Sequence, residues 1–150
     1  MTRSASAASA TADAAVKARS APCNLADARA RLRTSQAYLE VADLVLSERD
    51  RDEYLNVAAG LAVLAGVAAS DAICCARLGC RHRGENHRDA ADMLKKSTPD
   101  GRDLATALVR LLDLKDAAHY GVKIVAVRKG RDAVRWARRL VERATEELER

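Results

Sequence analysis

The run VAAGLAVLAGVAA, Val57 to Ala69, constrains this chain more than any other stretch. It carries no charge and hardly any polar atoms outside the backbone, so it must be buried. Around it, Leu55, Ala58, Ala62, Ala65, Ala69, Ala72 and Ala76 recur three or four residues apart, with Gly60 and Gly66 beside them. That period is helical. Side chains this small let a neighbouring helix approach closely. The run itself is too short to cross a bilayer, which takes about 20 apolar residues. Asn56 and Asp71 flank it, and a carboxylate in hydrocarbon is costly. The expectation is a buried core helix, with no membrane association.

The rest of the core has to match. Hydrophobic residues make up 49% of the chain but aromatics only 3%, and there is no Phe. Ala, Leu and Val must build the interior. Ala and Leu favour helix, and two prolines in 150 residues leave helices room to run. Asn24 with Asp27 reads as a helix start. It is followed by the stripe Leu25, Ala28, Leu32, Ser35, Leu39, Ala42 and Leu46. Asp50 and Glu53 resemble a capping box for the second helix, and Gly79 suits its end. Asn86 with Asp89 starts a short third helix reaching about Lys96. Thr98-Pro99-Asp100-Gly101 is turn chemistry before a fourth, leucine-rich helix. Residues 122–130 are ambiguous. The last helix is expected from about Arg131, with Val134, Ala137, Val141, Ala144 and Leu148 inward. The fold expected is all-α: an antiparallel up-down bundle of four main helices plus one short helix. It occupies residues 24–150, after a disordered tail over 1–23 rich in Ala, Ser and Thr.

That tail has no continuous apolar segment of the kind an export signal needs. Cys23, Cys74, Cys75 and Cys80 form no C-x-x-C pair. The expectation is a cytoplasmic protein with reduced cysteines. No cofactor and no metal is expected. Cys74, Cys75, Cys80, His82 and His87 are atom types that bind zinc. Adjacent helical residues, however, point about 100° apart and do not easily reach one ion.

Charge is placed unevenly. The chain carries +5 overall. Residues 24–71 hold five basic and eight acidic residues, whereas residues 122–143 hold eight basic and two acidic. Such asymmetry suits a face turned toward a polyanion. A solvated arginine face explains it equally well. A second concentration lies in CRHRGENH, Cys80 to His87, next to a helix start.

The order of several segments resembles the HEPN family of small helical-bundle domains. ARARLRTSQAYLEVADLVL resembles its first helix. GVAASDAICCARLG resembles its alanine-rich second helix with a mid-helix acidic residue, here Asp71. NHRDAADMLKK resembles the short "His-Asp, then apolar" helix. LLDLKDAAHYG resembles the fourth helix ending in Tyr, and GRDAVRWARRLVERA the last. Together these cover roughly residues 27–148. The resemblance implies a module associated with RNA or nucleotides, found in toxin–antitoxin or defence-type systems and often a homodimer. Some members are metal-independent endoribonucleases with an Arg-x4–6-His motif. Others are non-catalytic partners of small nucleotidyltransferases, so the resemblance admits a nucleotidyltransferase or antitoxin as partner.

Two places offer the residues that RNA cleavage needs: a base, an acid and a cation for the charged phosphorane. Arg81, five residues, then His87 fits the motif's spacing, with Arg83 alongside, but between the second and third helices rather than near the start of the last. Arg and His there would also share the positive end of a helix. The plain alternative is a basic turn in which His87 packs at a helix start. The other place is Lys115 with His119, one turn apart on a helix, and Tyr120 beside them. Lys replaces Arg and three residues intervene, so this departs from the motif. The alternative is a polar helix end. Asp71 needs a partner if buried. An arginine, Lys115, His119 or Tyr120 could supply it, making Asp71 either an internal anchor or the group that orients a histidine. Arg131, Arg135 and Arg138 are the candidate phosphate contacts on the last helix. Only Trp136 is available there for stacking, so sequence-specific single-strand reading is not expected.

Overall fold

The computed structural model describes residues 19–48, 51–120 and 125–149. The elements run in the order β1 (Ser20–Pro22), α1 (Leu25–Ser47), α2 (Glu53–Leu78), β2 (Cys80–His82), α3 (His87–Ser97), α4 (Gly101–Tyr120) and α5 (Val127–Leu148). Four long helices and one short one form the bundle, as the apolar periodicity predicts.

Helix α1 starts where the sequence places it. Asn24 Oδ1 accepts the Asp27 N–H at 2.9 Å, and Asp27 Oδ2 accepts the Asn24 N–H at 3.0 Å. This reciprocal pair satisfies two backbone donors that a helix start otherwise leaves without partners. Ala28, Leu32, Ser35, Leu39 and Ala42 are buried. Leu25, at the head of the expected stripe, is instead 52% exposed.

Helix α2 is the centre of the molecule and packs against α1, α4 and α5. Ala58, Ala62, Ala65, Ala69 and Ala72 are fully buried. A Cβ on Gly66 would collide with Leu111 Cδ1 and crowd Leu140 Cδ1 at 3.3 Å. Glycine is therefore what lets α4 and α5 close on α2 at this level. By length and composition α2 could cross a membrane, but 78% of its most apolar window is buried inside the bundle, as a core helix requires. Asp50 of the expected capping box lies outside the described residues. Gly79 ends α2 in the left-handed conformation at φ 68°, its N–H donating to Cys75 O at 3.2 Å.

Helix α3 begins on Asn86, whose Oδ1 accepts the N–H groups of Arg88 and Asp89 at 3.0 and 3.3 Å. The 98–101 segment is a turn, closed by Gly101 N–H donating to Thr98 O at 3.0 Å. A Cβ on Gly101 would strike the backbone oxygen of Lys95, so α3 and α4 meet at a glycine. Helix α5 begins at Val127, four residues before the expected start. Local β-branching misled the reading there, and packing overrides it: Gly130 sits against Leu55, and Val125 N–H donates to Asn56 Oδ1 at 2.6 Å.

Two features depart from the expected tail. Ser20–Pro22 pair antiparallel with Cys80–His82, in the register Ser20↔His82, Ala21↔Arg81 and Pro22↔Cys80. Cys23 and Cys75 are joined by a disulfide across 52 residues. The expectation of four reduced cysteines is thereby corrected. Cys75 turns toward Cys23, while its neighbour Cys74 stays free and buried.

Substituting Gly66→Val should lower stability by about 1–3 kcal/mol through overpacking, measured as a fall in the urea midpoint. An unchanged midpoint would mean that α4 and α5 do not pack on α2 this closely.

Candidate functional site

The basic turn, the head of α3 and the middle of α2 enclose a cleft of about 330 Å³. Its floor is Asp71 with Ser70 and Val67 on α2. Leu108, Leu112 and Lys115 close one side from α4, and Arg31 closes another from α1. The mouth is formed by Arg81, His82, Arg83, Glu85 and His87. Strand β2, the loop after it, α3 and α4 thus bring Arg81, Arg83, His87 and Lys115 to one place.

Each arrives there for a local reason. Gly79 turns the chain out of α2, and β2 then extends, so Arg81 and His82 stand at the cleft's edge. Gly84, at φ 111°, bends the loop back so that Asn86 can start α3. His87 is the first residue of that helix, whose positive end favours an anion. Asn86 already accepts the N–H groups of Arg88 and Asp89. An incoming anion would gain from the helix field and from the cationic side chains, not from those two donors.

Asp71 is 8% exposed. Its Oδ2 accepts from Arg31 Nε at 3.1 Å and Nη2 at 2.9 Å. Burial raises its pKa, and Arg31 offsets part of that rise, with Arg81 and His82 contributing less. The buried carboxylate therefore anchors α2 to α1, and its partner is Arg31 rather than Lys115 or His119. Cys74 lies just beyond it. Burial, then the Asp71 charge, pushes its thiol up to about 12, so it stays protonated and unreactive.

His82 Nε2 is buried without a hydrogen-bond partner. It lies between this cleft and an adjoining groove of about 300 Å³ that includes Cys80 and Asp89. The structure thus adds Arg31 and His82 to the site. Arg31 left no local signal, because its partner is 40 residues away. His82 was visible inside CRHRGENH but stood only as a metal-type atom. Among the described residues, no three His, Cys, Asp or Glu side chains are grouped to hold a metal ion.

Other candidates fall elsewhere. His119 is one turn beyond Lys115, yet its Nε2 approaches Gly60 O at 3.4 Å and it does not line the cleft. The side chain of Tyr120 lies outside the described residues. Three of the six arginines of α5 are engaged in ion pairs, whereas Arg128, Arg131 and Arg139 are exposed and form no ion pair among the described residues. Arg138 Nη2 donates to both oxygens of Asp43 at 2.6 and 2.7 Å. Arg135 pairs with Asp132 at 2.7 Å, and Arg143 with both Asp100 and Glu147. Arg77 also pairs with Glu147. Arg131 lines a separate depression of about 150 Å³ with Arg51 and Glu48. Pairing of this kind contributes little stability at the surface, but it offsets the charge of Arg135, Arg138 and Arg143.

Asp71 allows a test of sign. Its folded pKa lies above its unfolded value, so its ionisation costs stability as pH rises through the folded pKa. Arg31→Ala removes the group that offsets this cost. The variant should lose about 1–3 kcal/mol at pH 7, a range reduced because Arg31 is 35% exposed. The loss should shrink as pH falls and Asp71 protonates. Urea unfolding of both proteins at two pH values checks this, and an equal loss at each pH would contradict it.

No protein-family model matches this chain, and no curated protein matches it.

Proposed function

We propose that the cleft binds phosphate groups of RNA or of a nucleotide, and that the chain is a HEPN-like RNA- or nucleotide-associated module. The observation that carries this reading is the convergence of Arg81, Arg83, His87 and Lys115 on one cleft. Guanidinium forks suit phosphate oxygens, and a helix start adds its field. The apolar side chains of Val67, Leu108 and Leu112 behind them leave room for a less polar part of the ligand.

Metal-independent RNA cleavage fits the same residues. His87 and His82 would act as base and acid, and Arg81 would stabilise the charged phosphorane. One observation favours binding without cleavage. Asp71 Oδ2 is engaged by Arg31, which supports the anchoring role of this carboxylate over the orienting of a histidine. The binding role is therefore the primary proposal. Homodimerisation, a nucleotidyltransferase or antitoxin partner and a defence-type setting belong to it through the resemblance; a cytoplasmic location belongs to it through the sequence reading of the N-terminal segment.

The test uses labelled single-stranded RNA with the full chain in excess EDTA, following affinity and products. Arg81→Ala/Arg83→Ala should weaken binding at least about tenfold and lower the log–log salt slope by about 1.4, near 0.7 per lost phosphate contact. Arg135→Ala should change affinity less than about twofold, because that arginine is already paired. Any cleavage should vanish in His87→Ala and persist in His119→Ala. Undiminished binding by the double variant would overturn the proposal.

A further inference from the structure

The disulfide and the cleft are connected. β2, which supplies Arg81 and His82, is held from its outer side by the segment that Cys23 anchors. Ser20–Pro22 pair with it along its whole length. Cys23 N–H donates to Gly79 O at 3.0 Å, and Arg83 N–H donates to Arg19 O at 2.7 Å. Arg19 then reaches Asp89 of α3 at 3.1 Å. Residues 19–23 therefore tie the end of α2, β2, the loop and α3 together. Yet β1 is three residues long, and a two-stranded ladder is marginal by itself. The bond from Cys23 to Cys75 in the last turn of α2 adds the covalent tie to the bundle.

We infer that the Cys23–Cys75 disulfide is a redox clasp that holds the Arg81–His82 wall of the cleft in place. The clasp is a regulation of the phosphate-binding site and rests on that reading of the cleft. Closed, it fixes two of the cleft's polar groups. Opened, it leaves β1 to the short ladder, the backbone bonds at Gly79 and Arg83, and the Arg19–Asp89 pair.

The sulfurs are disposed for this. Cys23 is half-buried, whereas Cys75 is 3% exposed, so an incoming thiolate meets Cys23 first. A dithiol reductant would attack Cys23 Sγ and break the Cys23–Cys75 bond. Cys75 leaves as a thiolate and takes up a proton. The second sulfur of the reductant then attacks the mixed disulfide and releases Cys23 as a thiol. Two electrons and two protons pass to the cysteines, and the reductant leaves as a disulfide. Closure runs in reverse against a disulfide oxidant. The neighbouring Cys74, kept as a buried thiol, does not compete for the bond.

The test compares the oxidised full chain with the same protein reduced by dithiothreitol, with no substitution required. Amide hydrogen exchange over residues 79–83 should rise at least about tenfold on reduction, while the cores of α4 and α5 keep their protection. Affinity for a fluorescein-labelled single-stranded RNA should fall at least about fivefold. In Cys23→Ser/Cys75→Ser the reductant should change neither. Unchanged exchange at 79–83 would overturn the clasp. Exchange rising throughout the bundle would also overturn it, making the bond a general staple. So would equal RNA affinity in both states once the oxidised form binds. Selective loosening of 79–83 with no RNA binding in either state would uphold the clasp and defeat the RNA reading.

Discussion

Close packing on α2 is the constraint from which the remaining geometry follows. Alanine along one side, with Gly66 under Leu111 and Leu140, brings three long helices onto a single axis. With so few aromatic residues, apolar burial has to come from many small contacts at short range. Dispersion in such a core accumulates only where the helices interlock. This arrangement decides which residues of α2 can be polar. Asp71 stands in the buried middle and is tolerated because Arg31 reaches it from α1. Cys75, one turn farther along, meets Cys23 at the helix's end. The cleft opens over Val67, Ser70 and Asp71, on the C-terminal half of α2.

Two basic regions behave differently for an electrostatic reason. On α5, Arg135, Arg138 and Arg143, three of its six arginines, pair with acidic residues on the same helix and across the bundle. Asp43 and Asp100 sit on α1 and in the α3–α4 turn, opposite Arg138 and Arg143. The arginines of the 80–87 turn face a small depression with four cations and two carboxylates, one of which, Asp71, is already paired with Arg31. A local excess of positive charge survives there, at a helix start whose field has the same sign. Net charge by segment suggested α5; in three dimensions half of its arginines are paired, and the turn gathers its cations around one cleft.

Much of the fold was legible because its signals are local. Asn24 and Asp27 cap one another, Asn86 caps α3, and Gly79 ends α2. Each involves neighbours within a few residues, and the apolar period does the rest. The start of α5 was not legible, since valines and lysine before Val127 mimic a strand and only contact with Leu55 reveals the helix. Strands of three residues carry no usable period, so β1 and β2 were missed. At the site, Arg81, Arg83 and His87 stood out through local density of charge. The split of Lys115 from His119 could not be read from their shared spacing. Lys115 lines the cleft while His119 turns to Gly60. The Arg31–Asp71 and Cys23–Cys75 pairs join distant parts of the chain, and nothing in either local sequence announces its partner.

On the proposed reading, anion binding by this protein is concentrated at the head of α3. The most direct measurement is a titration of the full-length, oxidised protein with inorganic pyrophosphate, followed by backbone amide NMR. Shifts should concentrate at residues 81–89 and at Lys115, with the amides around Arg135 and Arg138 nearly still. Shifts spread along α5, or no saturable response around His87, would contradict it.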